Sequence, residues 1–110
     1  MTKSALGQFE HQVLLAILRR DSESYSVEIV LELEDQTGEE VATSKVFVAL
    51  KRLKSKGLLE DRLVDPGAGG GHARRYFRLT PLAMEAMRAS RQSYLSLWDG
   101  VEAQLDDPRN

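Results

Sequence analysis

The apolar positions fall first into a helical rhythm. Leu6, Phe9, Val13, Ala16 and Ile17 recur at steps of three or four, and Leu14, Leu15 and Leu18 widen the stripe. That pattern predicts a helix over Leu6–Arg20, apolar around enough of its circumference to be buried on more than one side. The segment "RDSESYS" reads as a polar break. A second helix is predicted from Ser26 to Gln36, with Val27, Val30 and Leu31 inward and Glu28, Glu32, Glu34 and Asp35 mostly outward. Gly38 is its expected stop, since a helix often ends on a residue in left-handed backbone. In "TSKVFVALKRLKSKGLL" a third helix restarts with Thr43 or Ser44 as cap. Val46, Phe47, Leu50 and Leu53 are its expected apolar face, and Gly57 ends it.

The rhythm then changes. "LLEDRLV" and "RRYFRLT" alternate with the period of a strand, in Leu59, Asp61, Leu63 and in Tyr76, Arg78, Thr80, which predicts an antiparallel ribbon. Thr80 caps a last helix with Pro81 at its first position, carrying Met87, Tyr94, Leu97, Trp98, Val101 and Leu105. The fold class expected is mainly α with a small antiparallel β-ribbon, a winged helix-turn-helix plus a long C-terminal helix. Residues 1–80 form the winged-helix domain, 81–105 a dimerisation helix and 106–110 a frayed tail in this reading.

Composition narrows the class. A chain of 110 residues, 42% hydrophobic, suits a single domain with a modest core. There is no cysteine, hence no disulfide or thiolate chemistry, as a reducing cytoplasm favours. The apolar run Val13–Leu18 is far short of the ~18 residues that span a bilayer, and no cleavage pattern marks a secretion signal. A soluble cytoplasmic protein without a membrane partner is expected. The formal charge of -2 hides a strong asymmetry. Thr43–Thr80 holds nine Lys/Arg against three Asp/Glu, and the remainder is acidic. A cationic third on an acidic body attracts polyanions to one face.

Two elements carry that charge. On the third helix, Lys45, Lys51, Arg52, Lys54 and Lys56 stand with no acid before Glu60. Such a helix fits the DNA major groove, with Lys and Arg reaching guanine acceptors. Thr43, Ser44 and Lys45 at its start can meet a phosphate through unpaired backbone N–H groups. For a helix alone, a merely solvated basic surface is the plainer reading; the basic ribbon that follows favours binding. The stretch "PGAGGGHARRY" resembles a phosphate cradle but lacks the Lys-Ser or Lys-Thr of a P-loop, and no long βαβ unit surrounds it. It reads as a hairpin tip in which His72, Arg74 and Arg75 face DNA backbone or minor groove. A mobile loop without contacts is the alternative. His11 and His72 have no ligand-spaced partners, and no nucleophile–base pattern appears, so neither enzyme, metal nor cofactor is expected.

Three segments in order resemble the PadR family of bacterial winged-helix transcriptional regulators, across roughly Leu6–Leu105. "YSVEI" is similar to the family's Tyr-Gly-Tyr-Glu-Ile, "SKVFVALKRLKSKGLLE" to its recognition-helix signature, and "RRYFRLTPLA" to its Arg-x-Tyr-Tyr-x-Leu-Thr-x-x-Gly. Ser26 and Val27 replace Gly-Tyr, Phe47 a tyrosine, Val48 a proline and Ala83 the last glycine; any phosphate contact that the resemblance implies for that tyrosine is lost with its hydroxyl. The resemblance implies a homodimer joined by the last helix and binding a palindromic double-stranded operator, usually as a repressor. It also implies an aromatic small-molecule effector in some relatives, for which Trp98 is a candidate stacking face. The spacing of Tyr94, Leu97, Trp98, Val101 and Leu105 independently suggests a coiled-coil-like seam with Trp98 as anchor, or packing on the first helix of the same chain. A winged helix that docks a protein partner and ignores DNA is the rival reading.

Overall fold

The computed structural model describes residues 6–67 and 71–109. The extreme N-terminus, the centre of the glycine loop (68–70) and Asn110 lie outside the described residues. The chain runs α1 (Gln8–Arg19), β1 (Glu23–Tyr25), α2 (Ser26–Thr37), α3 (Thr43–Ser55), β2 (Leu59–Val64), β3 (Arg74–Leu79), α4 (Pro81–Trp98) and α5 (Glu102–Leu105). The core lies where α1, α2 and α3 meet. Leu14, Ile17, Ile29, Leu50 and Leu53 are almost wholly enclosed there, with Phe77, Leu79, Ala83 and Met87 closing it from the sheet and α4.

Local chemistry sets the boundaries. Gly7 enters α1 in extended backbone, and the Glu10 carboxylate accepts the Gly7 N–H at 2.9 Å. Gly38 leaves α2 at φ 74° and Gly57 follows α3 at φ 79°, both in the left-handed region that only glycine adopts without strain. Thr80 serves two elements at once. Its hydroxyl accepts the Ala83 N–H at 3.2 Å as the α4 cap and donates to the Gly57 carbonyl at 2.8 Å. The start of α4 is thereby bonded to the end of α3.

Several expectations need correction. "RDSESYS" is more than a break, because β1 lies within it and pairs antiparallel with β3, Ser24 opposite Phe77. The ribbon is thus a three-stranded sheet, in the order β1-β3-β2. The inward face of α2 is Ile29 and Leu33, with Val30 at its margin; Val27 and Leu31 are exposed. Of the acids expected mostly outward on α2, Asp35 is exposed, whereas Glu28, Glu32 and Glu34 are partly buried and bonded. Ser24 donates to Glu28 at 2.8 Å, Arg20 pairs with Glu32 at 3.2 Å, and Glu34 accepts the Val41 N–H at 2.9 Å. The N-cap of α3 is Ala42, so Thr43 and Ser44 lie inside the helix and no side chain caps it. The last helix ends at Trp98; a turn through Gly100 (φ 83°) separates α5 and with it Leu105.

The corrected phase of α2 is open to direct test. Ile29→Ala removes fully enclosed apolar volume and should cost about 2–5 kcal/mol by urea denaturation, whereas Leu31→Ala should stay within about 0.5 kcal/mol. Equal losses at both positions would mean that the helix is turned differently.

Candidate nucleic-acid interface

The docking face of α3 is Val46, Ala49, Leu50 and Leu53, all buried. These positions step by three, one and three residues, a complete apolar stripe. Phe47, expected among them, is 54% exposed beside Val48 at 51%. The outward stripe is therefore Ser44, Phe47, Val48 and Lys51, running on to Ser55, with an apolar centre flanked by a hydroxyl and a cation. Phe47 and Val48 belong to the candidate face, although the apolar pattern put Phe47 on the docking side and only the family resemblance pointed its position toward a phosphate. Ala49 was the available signal, since it completes the inward set without Phe47.

The cations of the patch are less bare than their number suggests. Lys56 reaches back to Glu10 at 2.8 Å, tying the end of α3 to the start of α1. Burial pushes the Glu10 carboxyl upward, but Lys56, the Gly7 N–H and nearby Arg52 outweigh it and hold the group below its ordinary range. The Lys45 ammonium sits 4.3 Å above the Phe9 ring. Lys54 pairs with Asp61 at 3.0 Å. Among the described residues, Lys51 and Arg52 make no ion pair, and both are exposed. Thr43, Ser44 and Lys45 are likewise exposed at the start of the helix.

Strand alternation divides the wing into two faces, since successive side chains point to opposite sides. Leu59, Phe77 and Leu79 point to the core, so Asp61 and Arg75 share their side. Arg74 goes to the other. Its guanidinium lies 4.5 Å from the Tyr25 ring, which meets Tyr76 edge-on at 5.2 Å, and Arg62 joins the same face through Glu23 at 2.7 Å. Arg75 instead bonds Asp61 at 2.9 Å, beside Lys54. The two arginines, paired in sequence, are thus split between faces, and only Arg75 is brought to α3. The Asp61 carboxyl is held below its usual range, chiefly by the hydrogen bond from Lys54 and then by Arg75. His72 is exposed near the hairpin tip, where it lines a shallow recess with Pro66, Gly71 and Arg74, away from α3.

A second surface lies on α4. Met87, expected on the seam, is only 6% exposed and belongs to this chain's own core. Tyr94, Leu97, Val101 and Leu105 are exposed, Leu97 to 74%, as is Leu95. Trp98 is half-buried and meets Tyr94 edge-on at 6.3 Å. A groove between α1 and α4, lined by Leu15, Leu18, Met84 and Tyr94, adjoins them, and Ser90 contacts His11 Nδ1 at 3.4 Å across it. Among the described residues no cluster of three His, Cys, Asp or Glu is placed to hold a metal, and no helix is long and apolar enough to cross a membrane.

Comparison with known proteins places this geometry. A PadR family transcriptional regulator from Eggerthella lenta is 26% identical and superposes with a TM-score of 0.69, covering 84% of this chain and 80% of that one. RosR of H. salinarum is 25% identical at a TM-score of 0.69, over 86% of this chain and 79% of its own. Bacillus subtilis PadR, solved in complex with operator DNA, is 18% identical and shares the fold at a TM-score of 0.63, over 74% of this chain and 45% of that one. No curated protein sequence matches the chain. The model of the transcriptional regulator PadR-like family matches residues 14–89, which takes in α2, α3, the wing and the first half of α4. The chain belongs to the PadR-like family of transcriptional regulators.

Proposed function

We propose that the protein is a sequence-specific regulator that binds double-stranded DNA as a homodimer and represses transcription in the PadR manner. The observation that carries this reading is the outward stripe of α3. With its inward side closed by the core, α3 presents Ser44, Phe47, Val48 and Lys51, with Arg52 alongside, and the two basic residues carry no ion pair among the described residues. A helix of that size fits a major groove, where cations reach guanine and apolar side chains meet thymine methyl groups. Exposing Phe47 and Val48 to water has no packing purpose; thymine methyls supply one. Arg75 and Lys54 lie on the same side to meet flanking phosphates, whereas Arg74 and His72 serve the outer wing. The operator-bound structure of the Bacillus subtilis PadR supports the reading, as a protein of the same fold.

The dimer follows from α4. Its buried residues are Ala83 and Met87, both in the first half, so among the described residues the second half presents Tyr94, Leu95 and Leu97 largely exposed. A second copy laid against Tyr94, Leu97 and Trp98 covers them, with Trp98 as anchor, and two-fold symmetry then places the reading helices about 34 Å apart, one turn of DNA. The same exposed surface is what a module that docks another protein would use. The two readings separate on DNA: retention of the gene's own upstream region against competitor duplex, in a mobility shift, is expected only of the regulator.

Two measurements address the parts. Replacing Lys51 and Arg52 by alanine should weaken duplex binding and reduce its log–log salt slope by up to about 1.8, roughly 0.9 for each of the two that also neutralises a phosphate. Unchanged affinity and slope together remove α3 from the interface. Leu97→Glu with Val101→Glu should yield monomers in light scattering and lose retention of the upstream region together; persistence of the dimer places the seam elsewhere.

A further inference from the structure

Asp61 stands where two cationic elements converge. It lies in β2 opposite Phe77, on the core-facing side of the wing, and its side chain is only 13% exposed. Lys54 of α3 lies across both carboxylate oxygens, 3.0 Å from Oδ1 and 3.1 Å from Oδ2, and Arg75 of β3 donates to Oδ2 at 2.9 Å. The two cations are 53% and 52% exposed, so they reach outward while the acid lies beneath them.

A phosphodiester offers the same chemistry: one negative charge on two oxygens, able to receive one donor from each side. In the DNA-binding reading above, this position between α3 and the wing is one that a backbone phosphate would meet. Backbone pairing from Leu59↔Leu79 to Val64↔Arg74 holds β2 to β3 independently of the Asp61 side chain. The effect of that side chain falls on charge instead: it halves the net charge of the Lys54–Arg75 pair and repels any incoming phosphate.

We propose that Asp61 is an internal phosphate surrogate that withholds Lys54 and Arg75 from arbitrary duplex. It yields them only where the backbone of a fitted site presents phosphates to both. Asp61 is in this sense a positioning residue that sets selectivity through its two partners. The inference rests on the DNA-binding reading above.

The test uses Asp61→Asn, which keeps shape and removes charge, and Asp61→Glu, which restores it. Binding of the full-length protein to a fluorescent duplex of arbitrary sequence is followed by anisotropy over roughly 50–200 mM salt. Asp61→Asn should bind about fivefold more tightly at the low end, the effect of removing one nearby charge in water. Its slope should steepen by about 0.9 to 1.8 as one or both cations become available. Asp61→Glu should return both readouts toward the parent. In a Lys54→Ala, Arg75→Ala background, Asp61→Asn should leave the slope where it was, which a general loss of structure would not reproduce. A slope unchanged or shallower in Asp61→Asn, with an intact circular dichroism spectrum, overturns the proposal and leaves Asp61 a brace. If the parent binds and Asp61→Asn does not differ from it, only this inference falls. If neither binds any duplex, the DNA-binding reading falls and this one with it.

Discussion

The seating of α3 on α1 and α2 through Val46, Ala49, Leu50 and Leu53 is the contact on which the candidate interface depends. Four positions at helical spacing leave one rotation of α3 that buries them all, and that rotation turns Ser44, Phe47, Val48 and Lys51 to solvent. Its lengthwise position is secured at the C-terminal end. Lys56 bonds Glu10 of α1, and the Gly57 carbonyl accepts the Thr80 hydroxyl that also caps α4. Helix, wing root and C-terminal helix are therefore registered to one another by short polar contacts around an apolar seat. Altering the seat would turn the reading face before it disturbed any residue of that face.

Acids brought in from other elements govern the electrostatics of this surface. Along the chain α3 is a run of cations without an acid, yet in space Glu10 arrives from α1 and Asp61 from β2. Arg62 and Arg78 meet Glu23 and Glu60 in the same way. Such pairing reduces self-repulsion in the free protein, which an unshielded patch would suffer. In the DNA-binding reading proposed above it would also grade the cations. Among the described residues Lys51 and Arg52 make no ion pair, Lys45 and Arg74 are stacked on aromatic rings, and Lys54 and Arg75 would have to exchange one anion for another.

Much of this was legible in the amino-acid order, because the deciding physics was local. The three helices of the domain, the wing, the stops at Gly38 and Gly57 and the Thr80–Pro81 start each follow from spacing or backbone preference within a few residues. Departures arose where a distant partner decides. Glu23–Tyr25 has no strand pattern of its own and becomes one because β3 offers an unpaired edge. Val27 and Leu31 match a helical stripe as well as Ile29 and Leu33 do, and only the position of α1 selects between them. Phe47 was assigned inward because it is large and apolar, although Ala49 fills that place at lower volume. Arg74 and Arg75 are adjacent in sequence, and adjacency in a strand means opposite faces. The Asp61 clasp joins residues of α3, β2 and β3, so no periodicity within a single helix or strand reveals it.

The C-terminal segment presents the remaining physical problem. An 18-residue helix extends about 27 Å at 1.5 Å per residue, and the buried side chains of α4 stop at Met87. A stretch as short as the second half is marginal on its own in water, so a dimer contact of the kind proposed would add to the stability it draws from the first half. The turn at Gly100 constrains such a contact. It sets Val101 and Leu105 off the axis of α4, so the apolar residues form a bent surface rather than one straight seam. A bent surface is poorly matched by a single long coiled coil, so a second copy in the proposed dimer would have to reach the α1 groove at Leu15 and Leu18 as well. In the proposed dimer, that doubled contact would hold α1 as well as α4. Because α1 is the floor on which α3 is seated, the two-fold axis would then fix the angle of both reading helices, and DNA spacing would follow from core packing.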